Sequence, residues 1–313
     1  MSRVCPQRGI VPPLITPLTS TGNLDHDALA RIIEHVLRAG PAGLFVLGTT
    51  AEAPSLSYRL RFEVVEAACR AVDKRVPVLV GVTDTCLEEA VALARHAHAC
   101  GAAAAVVAPP FYYPISQEEL FEYVRRLAGA SPIPLYLYNF PGMTKVVFEI
   151  DTLRRLACLT NVIGLKDSSG DLDYLRSALH AVADVENFAV FMGPEELLAQ
   201  GLHLGATGGV TGGANLFPEL FTGLYRAVIE GREEDERRLQ ARVIEISSKI
   251  YGLGGYGSGF LHGIKAAMSI CGLCENILAP PHLPLDGKQC AVVRARLEEM
   301  GLLTTAGEPA LHL

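Results

Sequence analysis

Lysine is scarce in this sequence, and acidic residues outnumber basic ones. Among 313 residues, 27 are lysine or arginine and 34 are aspartate or glutamate, which gives a formal net charge of −7. This balance argues against nucleic acid as a partner, because proteins that bind it concentrate basic residues on one face. Only six residues are lysines: Lys74, Lys145, Lys166, Lys249, Lys265 and Lys288. Five of them fall in helical or loop patterns, where a charge stays in water, whereas Lys166 directly follows an apolar run typical of a strand.

The sequence also lacks long hydrophobic runs. No stretch approaches the roughly 20 consecutive apolar residues that a transmembrane helix needs. Residues 1–18 contain too many prolines and too few apolar residues for a secretion signal. We therefore expect a cytoplasmic protein that does not associate with membranes.

Paired cysteines are nearly absent as well. The eight cysteines are scattered, and motif spacing occurs only in Cys271-Gly-Leu-Cys274. A thioredoxin-like site would need this pair at the start of a helix after a strand, and a zinc site would need a second pair. Neither context is present, so we expect small buried hydrophobic side chains, with no metal and no cofactor.

What the sequence does contain is a repeated alternation of strand and helix. Amphipathic helical patterns with start signals at Asp25, Ser57 and Ser116 separate the strand-like runs. Several runs are continuously apolar, as expected for parallel strands that are covered on both faces. There are eight such runs, at residues 9–18, 43–50, 76–83, 102–110, 133–139, 161–168, 187–193 and 205–213.

Eight units of this kind predict an α/β fold, a (β/α)8 TIM barrel with additional C-terminal helices. We assign residues 1–218 to the barrel and residues 219–313 to a helical extension that packs on it as part of one structural unit. The alternative is an open, doubly wound sheet, which would place a glycine-rich nucleotide-binding turn after an early strand. A G-x-G-x-x-G match covers residues 252–257, but it follows a helical pattern, so we interpret it as a connection between helices.

In a barrel of this type the active site lies at the carboxyl ends of the strands. The sixth run ends at Lys166, the fifth at Tyr138, and the second at Thr49-Thr50, so these side chains should share one mouth. Apolar surroundings disfavour the charged form of a lysine, and its neutral amine can condense with a carbonyl to form an imine. A tyrosine hydroxyl can then carry protons, and threonine hydroxyls with adjacent backbone N–H groups can hold a carboxylate.

Each of these residues also has a purely structural interpretation. Lys166 could extend its amine to solvent from a strand end, Tyr138 could belong to the core, and Thr49-Thr50 could form a capping turn. By default Glu52 and the pair Glu195-Glu196 are solvated residues of loops or helix starts.

Three aspartates near Lys166, at positions 167, 171 and 173, could be imagined as a magnesium site. However, Asp171 stands where the following helical pattern needs an N-cap. We therefore favour capping for Asp171.

The segments "GTTAE", "YNFP" and "GLKDSSGD", in this order on strands two, five and six, resemble the dihydrodipicolinate synthase/N-acetylneuraminate lyase family of pyruvate-dependent class I aldolases. The resemblance extends from about residue 8 to residue 275. It implies that Lys166 is the Schiff-base lysine, that Tyr138 transfers protons, and that Thr49 and Thr50 bind the pyruvate carboxylate. By the same resemblance, Gly209 and Val210 lie beside the pyruvyl unit.

The resemblance further implies a homotetramer, in which Tyr112 reaches the site of a neighbouring subunit. Two departures bear on the substrate. Ala51 replaces the usual glycine, and Met143 stands where dihydrodipicolinate synthases have an arginine that binds the carboxylate of the second substrate. A thioether cannot form that charge-assisted contact, so we expect an aldehyde that is uncharged at this end.

The seventh run ends in Gly193-Pro194-Glu195-Glu196, and its glutamates could accept hydrogen bonds from a polyol. The sequence therefore predicts a lyase that forms or cleaves a 2-oxo-3-deoxy sugar acid, or a related 4-hydroxy-2-oxo acid, with release of pyruvate. One alternative is a dihydrodipicolinate synthase, whose second substrate is aspartate semialdehyde. Another is a pyruvate-binding barrel that has lost catalysis.

Overall fold

The computed structural model describes residues 8–253 and 259–303, and these residues form a (β/α)8 barrel with additional C-terminal helices. Eight parallel strands are joined in the order β1-β8-β7-β6-β5-β4-β3-β2. The strands are β1 (Gly9–Ile10), β2 (Leu44–Val46), β3 (Val78–Gly81), β4 (Ala104–Val107), β5 (Leu135–Asn139), β6 (Val162–Asp167), β7 (Ala189–Met192) and β8 (Gly208–Gly209).

Backbone hydrogen bonds between the segment after β1 and strand β2 close the sheet. The Phe45 N–H donates to the Pro12 carbonyl at 2.9 Å, and the Leu14 N–H donates to the Phe45 carbonyl at 2.8 Å. The predicted run over residues 9–18 thus yields only a short strand, because Pro12 and Pro13 have no N–H group to donate to a ladder.

The barrel has two apolar cores, one on each side of the sheet. Side chains that point inward fill the interior, and the largest of them are Phe45, Tyr136, Tyr138, Ile163 and Phe191. Outward-facing residues of the same strands pack against the surrounding helices. Burial on both faces explains why the strand sequences are continuously apolar rather than alternating.

A register shift between β5 and β6 determines which residues of β6 point inward. Leu135 pairs with Val162, but Tyr136 pairs with Gly164 and Tyr138 with Lys166, so Ile163 is an extra residue on β6. Such a bulge changes the side to which the following side chains point. As a result, Lys166 lies beside Tyr138 on the interior side of the sheet.

The helices begin at the predicted capping residues. Asp25, Ser57 and Ser116 each accept a hydrogen bond from a backbone N–H of the first turn, and Ser116 forms a capping box with Glu119. The helices around the barrel are α1 (His26–Leu37), α2 (Tyr58–Val72), α3 (Leu87–Ala99), α4 (Gln117–Ala130), α5 (Pro141–Thr144), α6 (Ile150–Ala157), α7 (Leu172–Ala181) and α8 (Leu198–Leu204).

The helical extension predicted after the eighth strand is also present, and within the described residues it contains four α-helices. They are α9 (Pro218–Ile229), α10 (Glu233–Ile246), α11 (Gly259–Ile270) and α12 (Gly287–Glu299), and a π-helical turn over Ser247–Tyr251 extends α10. The glycine-rich match follows this turn rather than a strand, and its residues 254–257 lie outside the described residues. No helix within the described ranges is long and apolar enough to cross a membrane. The division of the chain at residues 218 and 219 stays a prediction.

The tight approach of strand β3 to the turn after β2 can be tested at Gly81. A Cβ atom at Gly81 would lie 2.0 Å from the Leu47 carbonyl oxygen, whereas one at Gly129, on α4, would meet no atom within 4 Å. We expect Gly81→Ala to lower the free energy of unfolding by at least about 2 kcal/mol, because the backbone must move. The control Gly129→Ala should be neutral or slightly stabilising. Urea unfolding of both variants checks this, and equal stabilities would contradict it.

Candidate active site

Lys166 lies on β6, near the carboxyl end of the strand, with its side chain inside the barrel. The residue is 6% exposed. Its Nζ lies 4.0 Å from the centre of the Tyr138 ring and 5.3 Å from the centre of the Phe45 ring. The faces of both rings attract the amine when it is protonated, so these contacts favour its position within the barrel.

Tyr138 contacts two of the predicted site residues with two different parts of its side chain. Its ring faces Lys166, and its hydroxyl lies 3.2 Å from Oγ1 of Thr49. Thr49 belongs to the turn after β2, in which the Ala51 N–H donates to the Gly48 carbonyl and the Glu52 N–H donates to the Thr49 carbonyl. The hydroxyl pair thus connects the turn after the second strand with the fifth strand.

These side chains border one cavity of about 260 Å³ at the carboxyl ends of the strands. Of the predicted site residues, it brings together Lys166, Tyr138, Thr49, Thr50, Val210, Gly193, Glu195 and Glu196. The rest of its wall is formed by Pro13, Phe140, Ser168, Pro194, Gly212, Tyr251, Phe260 and Ile264. The cavity is therefore built from several strands and from the C-terminal helices.

Three predicted residues do not line this cavity. Gly209 is paired with Met192 and Ile10 within the sheet, one residue before Val210. Met143, on α5, is 43% exposed and borders a neighbouring cavity of about 250 Å³. Tyr112 is 76% exposed, with its ring edge-on to that of Tyr113.

The neighbouring cavity adjoins the first one and is mainly apolar. Both cavities are bordered by Thr49, Tyr138, Phe140 and Phe260. The rest of the second wall includes Phe45, Leu47, Ala108, Phe111, Met143, Leu261 and His282. A molecule attached to Lys166 could thus extend past Tyr138 toward Met143.

Glu195 is a buried residue, and the expectation that it is solvated is wrong. It accepts a hydrogen bond from the Tyr251 hydroxyl at 2.6 Å and one from the Gly213 N–H at 2.8 Å. Burial raises the pKa of Glu195 from 4.5 to about 7, although the bonds from Tyr251 and Gly213 oppose this shift. Near neutral pH the carboxyl can therefore accept or donate a hydrogen bond within the cavity.

The segment that follows α10 contains Tyr251 and also contacts Glu196. The Ser247 hydroxyl donates to Glu196, and burial together with the Glu195 carboxyl raises the pKa of Tyr251 well above its usual value. Sequence reasoning did not identify Tyr251, because nothing in the sequence around it points to the seventh strand.

The aspartates after Lys166 have structural partners. Asp167 accepts hydrogen bonds from the Asn139 amide at 2.8 Å and from the Ser169 hydroxyl at 2.9 Å. Burial raises the pKa of Asp167, because it disfavours the charged form. Asp171 accepts from the backbone N–H groups of Asp173 and Tyr174, which confirms the predicted cap of α7. Within the described residues, no three His, Cys, Asp or Glu side chains are grouped in a way that could hold a metal ion.

A second lysine of the chain is buried, contrary to expectation. The Lys265 ammonium donates to the Glu52 carboxylate at 2.6 Å, and both side chains are 1% exposed. The expectations that Lys265 and Glu52 are solvated are therefore wrong. The sequence offered one signal, since Lys265 lies within the apolar pattern of α11.

Cys271 and Cys274 have the properties of inert thiols. Both are buried, and burial raises the pKa of Cys271 to about 12 and that of Cys274 to about 11. The thiolate is the reactive form of cysteine. This pair therefore provides no nucleophile at neutral pH.

Comparison with known proteins assigns this barrel to a family. The model of the dihydrodipicolinate synthetase family matches residues 6–300. The chain belongs to this family. It is 34% identical, over 94% of its own length and 98% of the relative, to a probable 2-dehydro-3-deoxy-D-pentonate aldolase of Escherichia coli. Relatives in the dihydrodipicolinate synthase family carry the names of lyases, aldolases and synthases, and the chain is a lyase of this family.

Two solved structures of the dihydrodipicolinate synthase family show how closely the barrel is shared. A structure described as dihydrodipicolinate synthase from Bacteroides thetaiotaomicron is 44% identical, with a TM-score of 0.91, and the match covers 94% of this chain and 99% of the other. YagE of Escherichia coli, solved in complex with pyruvate, is 31% identical with a TM-score of 0.89 at the same coverage.

The raised pKa of Glu195 predicts a specific pH dependence of stability. The folded form holds the proton more tightly than the unfolded form, so stability is lost as the pH rises from 4.5 through about 7. Glu195→Gln abolishes this loss, and its stability relative to wild type should rise by up to about 3 kcal/mol between about pH 4.5 and pH 8. Urea unfolding at several pH values measures this. The exposed control Glu275→Gln should follow wild type, and an identical response of Glu195→Gln would contradict the assignment.

Proposed function

We propose that the protein is a pyruvate-dependent class I aldolase that acts through a Schiff base on Lys166. The observation that carries this proposal is the cavity in which the Lys166 amine faces Tyr138, whose hydroxyl contacts Thr49. A lysine among aromatic and aliphatic side chains can act as the nucleophile of an imine-forming enzyme. The reaction needs no metal and no further cofactor.

In the cleavage direction, the neutral Lys166 amine attacks the C2 carbonyl of a 4-hydroxy-2-oxo acid. Uptake of one proton, which the final hydrolysis returns, and loss of water leave a protonated imine. A base removes the proton of the C4 hydroxyl, the C3–C4 bond breaks, and its electron pair moves into the imine to give an enamine and an aldehyde. Protonation at C3 and hydrolysis by one water molecule then release pyruvate and restore the amine.

The proposed roles of the other residues follow from their positions. Tyr138 carries the proton to and from the C4 oxygen, with its hydroxyl oriented by Thr49 at 3.2 Å. Thr49 and Thr50, with the N–H groups of their turn, receive the carboxylate next to the imine. Val210 borders the cavity beside the pyruvyl unit, and Gly209 precedes it on β8.

For the second substrate we propose an aldehyde with hydroxyl groups and no charge at its far end, so that the condensation product is a 2-oxo-3-deoxy sugar acid. Glu195, Glu196 and Gly193 border the lysine cavity, where the carboxyl groups can bind hydroxyls. Met143 borders the neighbouring cavity and cannot pair with a carboxylate. The names of the aldolases that resemble the chain support this substrate class.

The alternative of a dihydrodipicolinate synthase also has an observation in its favour, since the structure at 44% identity is described by that name. The loss of a charge-assisted contact at position 143 counts against it. A barrel without catalysis, which only binds pyruvate, is disfavoured because Lys166, Tyr138, Thr49 and Thr50 are all present and border one cavity.

We further propose that the enzyme is a cytoplasmic homotetramer in which Tyr112 contributes to the site of a neighbouring subunit. Tyr112 and Tyr113 extend from the segment after β4 and are about three-quarters exposed in the single chain. An exposed aromatic pair of this kind is typical of a contact surface.

The Schiff base predicts a covalent adduct. Treatment with pyruvate and borohydride should add one reduced pyruvyl group to the peptide that contains Lys166, as detected by mass spectrometry after digestion. The peptide that contains the buried Lys265 serves as an internal control and should stay unlabelled. Absence of the adduct in wild type, or its persistence in Lys166→Ala, would refute the mechanism.

The role assigned to position 143 predicts a change of specificity. Wild type should cleave at least one 2-oxo-3-deoxy sugar acid faster than it condenses pyruvate with aspartate semialdehyde. Met143→Arg should raise kcat/KM for aspartate semialdehyde by about ten- to hundredfold, because it adds a charge-assisted contact. Met143→Leu is the matched control and should leave kcat/KM for aspartate semialdehyde unchanged.

Coupled assays measure both rates: pyruvate consumption reports condensation with aspartate semialdehyde, and pyruvate release reports cleavage of the sugar acids. Faster turnover of aspartate semialdehyde than of any sugar acid by wild type would favour the synthase. A pyruvate adduct without turnover of any substrate would favour the catalytically silent barrel.

A further inference from the structure

The ion pair between Glu52 and Lys265 lies below the surface at the barrel mouth, next to the proposed carboxylate site. The Lys265 ammonium donates to Oε1 of Glu52 at 2.6 Å and to the Thr16 carbonyl at 2.7 Å. The other carboxylate oxygen of Glu52 accepts from the Ala279 N–H at 2.6 Å. Both charged groups are thus bonded to the backbone as well as to each other.

These bonds converge on the turn that carries Thr49 and Thr50. Glu52 is the last residue of this turn, and its backbone has a φ of 58°, in the left-handed region that few residues other than glycine adopt. Thr16 Oγ1 donates to the Ala51 carbonyl at 2.9 Å. The turn is therefore held from three sides, by the segment after β1, by helix α11 and by the segment after α11.

Helix α11 reaches the site at the same place. Ile264, which precedes Lys265, and Phe260, one turn earlier, both border the cavity that contains Lys166. A displacement of α11 would therefore change both the wall of the cavity and the position of the threonine turn.

We propose that Glu52 and Lys265 are positioning residues that hold the Thr49-Thr50 turn in the conformation that receives the substrate carboxylate. This inference rests on the proposed function, because it assumes that pyruvate binds at this turn. In this proposal the pair acts on the substrate carboxylate through the threonines, and Glu52 also borders the neighbouring cavity. A strained backbone conformation persists only when contacts with the surrounding structure hold it in place. The ion pair supplies such contacts to Glu52.

The test measures the pyruvate concentration that gives half-maximal borohydride labelling of Lys166. Glu52→Gln keeps the shape of the side chain and removes its charge, so the turn is held less firmly. The half-saturating concentration should rise about ten- to hundredfold, the range that a misplaced binding group can cost. Maximal labelling at saturating pyruvate should change little, because Lys166 itself is untouched.

A double-mutant cycle separates positioning from a general loss of stability. Thr50→Val removes the hydroxyl that would bind the carboxylate. If Glu52 acts through this turn, Glu52→Gln should have a clearly smaller effect on the half-saturating concentration in the Thr50→Val background than in wild type. Leu153→Ala, which truncates a buried residue of α6 far from the turn in sequence, lowers stability and should leave the half-saturating concentration unchanged.

Thr16→Val provides a second variant in case Glu52→Gln does not fold. It removes only the hydroxyl that donates to Ala51, and it should raise the half-saturating concentration in the same direction. An unchanged half-saturating concentration in a folded Glu52→Gln or Thr16→Val protein, or full additivity with Thr50→Val, would overturn the inference. Absence of labelling in wild type would instead overturn the proposed function, so the two failures are distinguishable.

Discussion

The closure of a parallel sheet is the constraint on which the rest of this structure depends. Two hydrogen bonds of Phe45, to Pro12 and Leu14, join the first strand segment to the second and complete the ring. In a closed ring all strand ends of one kind meet, and alternate side chains point to a common interior. Lys166 and Tyr138 therefore meet on neighbouring strands, and Thr49, in the turn after the second strand, contacts Tyr138.

A second constraint is that polar groups buried at this mouth need partners. The C-terminal helices supply several of them. Tyr251, after α10, donates to Glu195, and Lys265, on α11, pairs with Glu52. The extension thus has two effects on the candidate site: it covers the cavity with apolar side chains such as Phe260, and it makes the burial of two carboxyl groups tolerable.

The sequence predicted well the strands, the helix starts and the position of Lys166 near the end of a strand, because these features depend on local patterns of apolar residues and caps. The sequence did not predict burial correctly where the partner of a charged residue lies far away along the chain. Glu52 and Lys265 are separated by 213 positions and Glu195 and Tyr251 by 56, so nothing near either glutamate indicates burial. The prolines at positions 12 and 13 shortened the first strand in a way that apolar content alone does not show. The intersubunit role proposed for Tyr112 depends on a second chain, and it came from the family resemblance rather than from a local pattern of apolar residues.

The extra residue Ile163 has a consequence for how this barrel tolerates changes in length. It is accommodated at the start of β6, whereas Gly164 to Asp167 pair regularly with both neighbouring strands. Because the pairing is irregular only at the start of β6, we expect the end of the strand, where Lys166 lies, to depend little on the connection before it. Insertions or deletions between α6 and β6 should thus be accommodated before Ile163, with Lys166 kept in its place beside Tyr138.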